Sequence, residues 1–267
     1  MNEHRGINLA LRTYVVLVFA FIFTPIAASV VFSFNADRFP SLPLGGFSLK
    51  WYEAILSDPD VREAFFNSVR VALTASIVST FFGFCAAYTD YRYRFFGKSV
   101  YVAFALIPPT IPVVIMGVAM LAFLSRVGLS GDINAVIIAH IVMCTPFAMA
   151  LIRMRLALMP ADLEAAAWNL GAGQWRALAH VIVPFTLPSI GAALFVTMAV
   201  SFDEFAVAWF VTGLEPTVPV RILNTLQWQV SPEINAIGTI AFTTTMTLVI
   251  VAQTLLVRRT RHAGGGA

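Results

Sequence analysis

The chain has 267 residues, of which 59% are hydrophobic and only 12% are charged, and its mean hydropathy is +0.82. Soluble domains carry about 25% charged residues, so this composition excludes a soluble globular protein, a disordered chain and a disulfide-stabilised scaffold. We therefore expect an integral membrane protein. Its formal net charge of +3 then reflects basic residues on the cytoplasmic side of the membrane, and not binding to nucleic acid.

Six apolar stretches are long enough to cross a bilayer as helices. They lie near residues 13–34, 64–88, 100–124, 133–152, 186–213 and 236–257. The first runs for about 22 residues without a charge, which is too long for a signal-peptide core, so we retain it as a span. Backbone hydrogen bonds cannot be left open in lipid. The fold class is therefore an all-α integral membrane protein with one transmembrane domain over residues 1–267.

The basic residues predict the orientation of the chain. Eleven lie in one set of connecting segments, which includes both termini, and six lie elsewhere. The positive-inside rule makes the side with eleven cytoplasmic, so we expect both termini in the cytoplasm.

The third stretch carries Pro108, Pro109 and Pro112, which together remove three amide donors. We predict a break or kink here. Such a break is tolerated against protein or a water-filled cavity. It indicates either a helix that lines a pathway or a packing kink, and the sequence favours neither.

The cytoplasmic segment 153–185 is longer than the other connections and is predicted to be structured. Asp162 is expected to cap a short helix that ends at Gly171. A second helical stretch, 174–183, is predicted to run to Pro184, where the chain re-enters the membrane.

The short helix presents one apolar stripe, formed by Leu163, Ala166, Ala167 and Leu170. A helix this short does not persist in water without a partner. The stripe therefore either enters a groove of a cytoplasmic protein or packs back on the ends of the chain's own helices. We favour the partner.

The same segment resembles the Glu-Ala-Ala signature of the membrane subunits of binding-protein-dependent ABC importers. In that pattern a glycine follows Glu-Ala-Ala after three residues, and nine more residues lead to Ile-x-Leu-Pro. Ala166, Ala167, Gly171 and Pro184 fit this spacing. The glutamate position of the motif falls on Ala165, and Glu164 lies one residue early.

Five further segments are similar to the spermidine/putrescine permease branch of this family: 66–68, 91–98, 201–204, 210–213 and 230–236. The resemblance implies the type I, MetI-like permease fold with six transmembrane helices, in the bacterial inner membrane. It also implies a second permease subunit, expected to be a different chain, two cytoplasmic ATP-binding subunits and an extracytoplasmic solute-binding protein. ATP and Mg²⁺ would be used by the ATPase partner, because this sequence has no G-x-x-x-x-G-K-[ST] loop. The chain itself is therefore not expected to be an enzyme or to bind a cofactor.

By the same resemblance, one set of residues is expected to contact or position the ATPase: Glu164, Ala166, Ala167, Leu170, Gly171, Gly173 and Pro184.

Two adjacent carboxylates, Asp203 and Glu204, lie within the fifth stretch. A charge at mid-membrane costs about 2.5–3.5 kcal/mol on insertion scales, so it persists where water, a partner or a ligand meets it. We predict a polar substrate pathway in which Asp203 faces the lumen ahead of Glu204. Phe202, Phe205 and Trp209 follow a helical spacing and could add aromatic faces for a cation.

Other polar residues offer alternatives. Arg70 could form an ion pair with the acidic residues or, if it faces the pore, select a substrate with a carboxylate. His140 is more simply an interhelical hydrogen-bonding residue. The histidines and cysteines are too scattered for a metal site.

The sequence therefore predicts a permease subunit that forms half of an ATP-driven pathway for a small cation, such as putrescine or spermidine. One alternative keeps the machinery but carries an amino-acid-like or other small organic solute. An ion-coupled secondary transporter would require internal repeats, which we do not find. An intramembrane enzyme would require a catalytic constellation, which we cannot assemble.

Overall fold

The computed structural model describes residues 2–38, 43–228 and 232–263. The described residues form α-helices with two short irregular helical segments and no regular strand. The 3₁₀ segment is Pro108–Thr110 and the π segment is Leu178–Ile182. The helices are α1 (Asn2–Ser33), α2 (Lys50–Ser57), α3 (Pro59–Arg92), α4 (Lys98–Leu106), α5 (Val113–Arg126), α6 (Ile133–Leu156), α7 (Ala161–Asn169), α8 (Gln174–Ala177), α9 (Val183–Asp203), α10 (Ala206–Val211), α11 (Val218–Trp228) and α12 (Pro232–Ala263).

The predicted all-α membrane fold is confirmed. In the described part of the chain, five helical stretches are long and apolar enough to cross a membrane: Ile7–Ser33, Pro59–Arg92, Ile133–Leu156, Gln174–Asp203 and Pro232–Leu255. They correspond to five of the six predicted spans. Of the segment 230–236 that supports the family resemblance, residues 230 and 231 lie outside the described residues.

The third predicted span is broken, as its prolines indicate. Helix α4 ends at Leu106, a 3₁₀ turn contains Pro108 and Pro109, and Pro112 stands at the N-cap of α5. Proline lacks the amide donor that an uninterrupted helix would need at these positions. The span is therefore two helices and not one bent helix.

The fifth predicted span also ends early, which the sequence did not indicate. We expected a continuous helix over 186–213, but α9 ends at Asp203 and Glu204 is extended, with φ −73° and ψ 124°. A separate helix, α10, resumes at Ala206. The prediction of one helix through the acidic pair was wrong.

The chain divides into two compact units, residues 1–62 with 222–242 and residues 63–221 with 243–267. In the first, Trp51 Nε1 donates a hydrogen bond to the carbonyl of Asn35 at 2.7 Å. The Tyr52 and Ser33 hydroxyls lie 2.7 Å apart. These contacts fix α2 against the end of α1.

The second unit is built around α6, which packs against α9, while α10 packs against α5 and α6. Its core includes Val136 and Met143 of α6 with Val207 and Val211 of α10. Helix α3 approaches α6 closely at Gly83, where an added Cβ would lie 2.6 Å from the Ala148 Cβ. Glycine is therefore required for this helix contact.

The segment 153–185, which is predicted to be cytoplasmic, is helical as predicted, but its N-terminal cap is not Asp162. Pro160 occupies the N-cap of α7, and no side chain there makes a capping hydrogen bond. The helix thus begins at Ala161 and places Asp162 within the first turn. Its carboxylate still lies near the positive end of the helix dipole. After Gly171, α8 continues through the π segment into α9, so Pro184 does not interrupt the helix.

Candidate functional site

The helix interruption after Asp203 forms the centre of the candidate site. Glu204 turns back on the helix that follows and accepts hydrogen bonds from the amides of Val207 at 3.0 Å and Ala208 at 3.2 Å. The first amides of a helix have no partner within the helix. The Glu204 side chain therefore accepts from the first free amides of α10, although Phe205 occupies the N-cap position.

Glu204 also contacts a buried histidine of α6. The His140 side chain is fully buried, its Nδ1 lies 2.8 Å from the Ser201 hydroxyl, and its Nε2 lies 3.6 Å from Glu204 Oε2. The second distance exceeds that of a hydrogen bond. The expected interhelical role of His140 is confirmed, and Glu204 is enclosed between α6 and α10.

Asp203 lies in a different environment, although it is the adjacent residue. Its side chain is exposed on this chain and forms no ion pair with any described residue. It borders a groove between α9 and α12 whose other lining residues are Val196, Ala199, Val200, Glu204, Thr245 and Val249. Of the two carboxylates, Asp203 is thus the one open to a ligand or a partner.

Thr245 is a site residue that sequence reasoning missed. Its hydroxyl oxygen is buried and has no hydrogen-bond partner in the described part of the chain. A buried hydroxyl without a partner costs free energy, which a polar ligand in the groove would recover. The only signal in the sequence is a run of threonines, 243–245, in an apolar helix.

The predicted aromatic stripe is wrong, because it required a continuous helix. Phe202 is buried at 3% exposure. Phe205 lies in the interruption and Trp209 lies in α10 beyond it. Their ring centroids are 5.9 Å apart, and both pack against the core around α6. The three rings do not form one face.

Arg70 does not neutralise the acidic pair. It lies on the exposed side of α3, and among the described residues it forms no ion pair with Asp203 or Glu204. Its charge acts on Asp132, the N-cap of α6, whose pKa is lowered mainly by a hydrogen bond from the Ala135 amide. The alternative of an Arg70 ion pair is therefore wrong, and His140 is the residue beside Glu204.

The predicted coupling stripe on α7 is open in this chain. Leu163, Ala166 and Leu170 are exposed, Leu170 at 89%, and Ala167 is half-buried. Gly171 ends the helix with φ +80°. The stripe does not pack back on the chain's own helices, so the partner prediction stands as a prediction.

Glu164 points the other way. It is buried at 8% exposure, and its Oε1 lies 3.3 Å from Arg92 Nε at the end of α3. One residue along a helix is a rotation of about 100°. The glutamate of the family motif would stand at position 165, on the exposed side of α7. In this chain the glutamate stands at position 164, and its carboxylate therefore lies on the inner side of α7.

The chain matches the family described as the binding-protein-dependent transport system inner membrane component over residues 79–262. It is 32% identical over 252 residues to PotC, the spermidine/putrescine transport system permease protein of Haemophilus influenzae, with 94% of this chain and 97% of that protein covered. It is 28% identical to PotI, the putrescine transport system permease protein of Escherichia coli, with 90% and 88% covered.

Solved structures share its fold. A bacterial ABC transporter involved in the import of the acidic polysaccharide alginate matches with a TM-score of 0.75 and 14% identity over 96% of both chains. The MetNI methionine ABC transporter in an inward-facing conformation matches with a TM-score of 0.58 and 21% identity, with 77% of this chain and 98% of that chain covered. The expected importer-permease fold is confirmed, and the chain belongs to the family of inner membrane components of binding-protein-dependent transport systems.

Proposed function

We propose that this chain is the permease subunit of an ATP-driven polyamine importer and forms half of its translocation pathway in the bacterial inner membrane. Relatives named as spermidine/putrescine and putrescine permeases over most of the chain support this cargo. A second permease subunit completes the pathway, two ATP-binding subunits supply the energy, and an extracytoplasmic binding protein delivers the solute. Both termini lie in the cytoplasm.

The observation that carries the proposal is the exposed carboxylate of Asp203 at the interruption of a membrane helix. A carboxylate facing hydrocarbon is costly, so an intramembrane charge faces a partner, water or a ligand. In many transporters, substrate and ion sites are formed where membrane helices are interrupted. Asp203 therefore lies on the pathway.

The groove beside Asp203 suits an alkylammonium. A polyamine alternates positively charged amines with methylene segments. Asp203 offers a negative charge and Thr245 an unpaired hydroxyl, while Val196, Val200 and Val249 provide apolar walls. A few polar groups in an apolar concave surface are typical of small-molecule sites. Glu204 is engaged with α10 and contributes less to the cation.

The open stripe of α7 is the proposed contact with the ATPase. Its exposed leucines at positions 163 and 170 would enter a groove of the partner as helix anchors. Glu164 supports the contact from inside, through Arg92, and does not itself touch the ATPase.

Replacement of Asp203 by Asn tests the pathway. In proteoliposomes containing the whole importer, Asp203→Asn should lower putrescine uptake at least tenfold, because a loss of about 1.4 kcal/mol of cation stabilisation is a factor of ten. Binding of putrescine to the receptor should not change. The control is Glu63→Gln, which neutralises another exposed carboxylate of the same unit.

Unchanged uptake by Asp203→Asn would remove this residue from the pathway. A wild-type importer that carries an amino acid but no polyamine would replace the cargo assignment with the amino-acid alternative.

A further inference from the structure

The cytoplasmic end of α3 contacts both helices of the α7–α8 segment. Arg92, the last residue of α3, lies 3.3 Å from Glu164 of α7, and its guanidinium carbon lies 4.8 Å from the ring centroid of Trp168. Glu164 and Trp168 are four residues apart and share one helix face. Arg92 is therefore an ion-pair partner and a cation–π partner of the same face of α7.

The next residue of the chain, Tyr93, contacts the second helix of this segment, α8. Gln174, the first residue of α8, donates a hydrogen bond to the Tyr93 hydroxyl at 2.6 Å. Consecutive residues 92 and 93 thus bind the helix before Gly171 and the helix after it. We call the contacts of Arg92, Tyr93, Glu164, Trp168 and Gln174 the α3 clamp.

The same end of α3 is anchored in the helix bundle two residues earlier. Asp90 is buried and accepts a hydrogen bond from Arg153 Nε of α6 at 2.6 Å, and Lys98 Nζ lies 3.4 Å from its other carboxylate oxygen. Opposite charges around Asp90 fix this end of α3 to α6 and to the start of α4. The α3 clamp is therefore linked through Asp90 to α6 and to the start of α4 as well.

The opposite end of α3 is bonded to the segment that follows α10. Ser68 Oγ accepts a hydrogen bond from the Val218 amide at 2.8 Å, and Asn67 Nδ2 donates to the Pro216 carbonyl at 3.3 Å. From Asn67 to Arg92 the helix is about 37 Å long at 1.5 Å per residue. One uninterrupted helix thus connects α7 with residues 216–218, in the segment that follows α10.

We infer that Arg92 is a positioning residue that couples α7 to α3, so that displacement of α7 moves α3 and, through it, the segment beyond α10. Coupling between distant sites is carried by packed side chains, ion-pair and hydrogen-bond networks and rigid secondary elements. This inference rests on the proposed function, because an ATPase partner supplies the displacement. To the proposed function it adds Arg92 and α3 as the residue and the helix that transmit this displacement.

Neutralisation of Arg92 tests the inference in the complete importer. Arg92→Gln and Glu164→Gln should each lower the receptor-stimulated ATP hydrolysis and the putrescine uptake at least about fivefold, which is the lower range of coupling between sites. The subunit content of the complex should stay the same in both variants, and the unstimulated ATP hydrolysis should stay the same in Arg92→Gln. The matched control is Arg94→Gln, because Arg94 is exposed and forms no ion pair with any described residue.

The charge-reversed pair separates coupling from folding. Arg92→Glu combined with Glu164→Arg should restore at least half of the stimulated hydrolysis lost in the single variants, since the ion pair is re-formed. Stimulated hydrolysis in Arg92→Gln and Glu164→Gln equal to that of Arg94→Gln would overturn the inference.

A cross-link provides a second test that does not depend on removing a contact. Tyr93→Cys and Gln174→Cys, in a chain with Cys85→Ser and Cys144→Ala, place two thiols across the α3 clamp. Joining them with a short bifunctional thiol reagent should leave putrescine uptake above half, because the clamp stays closed throughout the cycle. Loss of uptake on joining, recovered on cleavage of the reagent, would overturn the inference. A wild-type importer that fails to carry putrescine would instead contradict the proposed function, whatever the variants do.

Discussion

Two neighbouring carboxylates of the same chemical type lie in different environments in this protein. Glu204 satisfies the first amides of α10 and faces His140, whereas Asp203 borders the open groove with Thr245. The difference arises because α9 ends between them, so the two side chains leave the backbone in different conformations. The capping contacts of Glu204 and the proposed pathway role of Asp203 therefore belong to adjacent residues.

Replacement of Glu204 should therefore lower stability more than it changes cation recognition. Glu204→Gln keeps the size of the side chain but weakens the charge-assisted bonds to the α10 amides, at a cost of about 1–2 kcal/mol. We expect a lower thermal midpoint of the purified importer and an unchanged KM for putrescine. Thermal unfolding in detergent and uptake kinetics measure the two effects.

Asp203→Asn is the reciprocal control, since it should preserve the thermal midpoint and reduce uptake. A raised KM in Glu204→Gln with no change in stability would reverse the assignment of the two residues.

At the residue scale, the sequence predicted the polar site but not its internal division. The cost of charge in lipid indicated Asp203 and Glu204 together. The aromatic stripe failed because it assumed one helix through Phe202 and Trp209. Thr245 was missed because threonines in membrane helices usually bond to a carbonyl one turn earlier, as Thr197 does with Ala193 at 2.7 Å. An unpaired hydroxyl is visible only from the fold.

The turn between α7 and α8 requires glycine at position 171 but not at position 173. Gly171 has φ +80°, and a Cβ there would meet no atom within 4 Å. Gly173 also has open space but an ordinary φ of −74°. A side chain at Gly171 is therefore disfavoured by its own backbone, and not by its neighbours.

Gly171→Val should disturb ATPase coupling without affecting membrane insertion. A β-branched residue in the left-handed region costs about 1–3 kcal/mol, so the turn should change its conformation and move α7 away from the partner. We expect receptor-stimulated ATP hydrolysis to fall about fivefold or more. Hydrolysis by the reconstituted importer and the amount of chain in the membrane are measured together.

Gly173→Val is the matched control, because the same side chain is added two residues away at an unstrained φ. Equal loss of coupling in the two variants would show that bulk in this turn matters, and not the left-handed conformation of Gly171.

At the element scale, helix ends were predictable where the sequence has proline or glycine. Pro108, Pro109 and Pro112 predicted the break between α4 and α5, and Gly171 predicted the end of α7. The interruption after Asp203 has no proline or glycine nearby in the sequence 201–206. It depends on the Glu204 side chain bonding to α10 amides, a local competition with the helix that hydropathy does not detect.

The whole chain presents surfaces that require other subunits. The stripe of α7 is open, Asp203 borders a groove that is exposed on this chain, and the sequence contains no phosphate-binding loop for ATP. Exposed apolar patches and intramembrane charges raise the free energy of an isolated chain. They therefore indicate contacts with other molecules. Transport is therefore expected to be a property of the assembly.

Proteoliposomes test this dependence directly. Vesicles containing this chain alone, with or without a proton or sodium gradient, should not accumulate radiolabelled putrescine. Addition of the second permease subunit, the ATP-binding subunits, the loaded receptor and ATP should give accumulation against a concentration gradient. Omission of ATP alone should abolish it, because in the proposed function the ATP-binding subunits supply the energy for transport. Gradient-driven accumulation by the single chain would instead identify an ion-coupled transporter, since that class carries its coupling-ion site within its own helices.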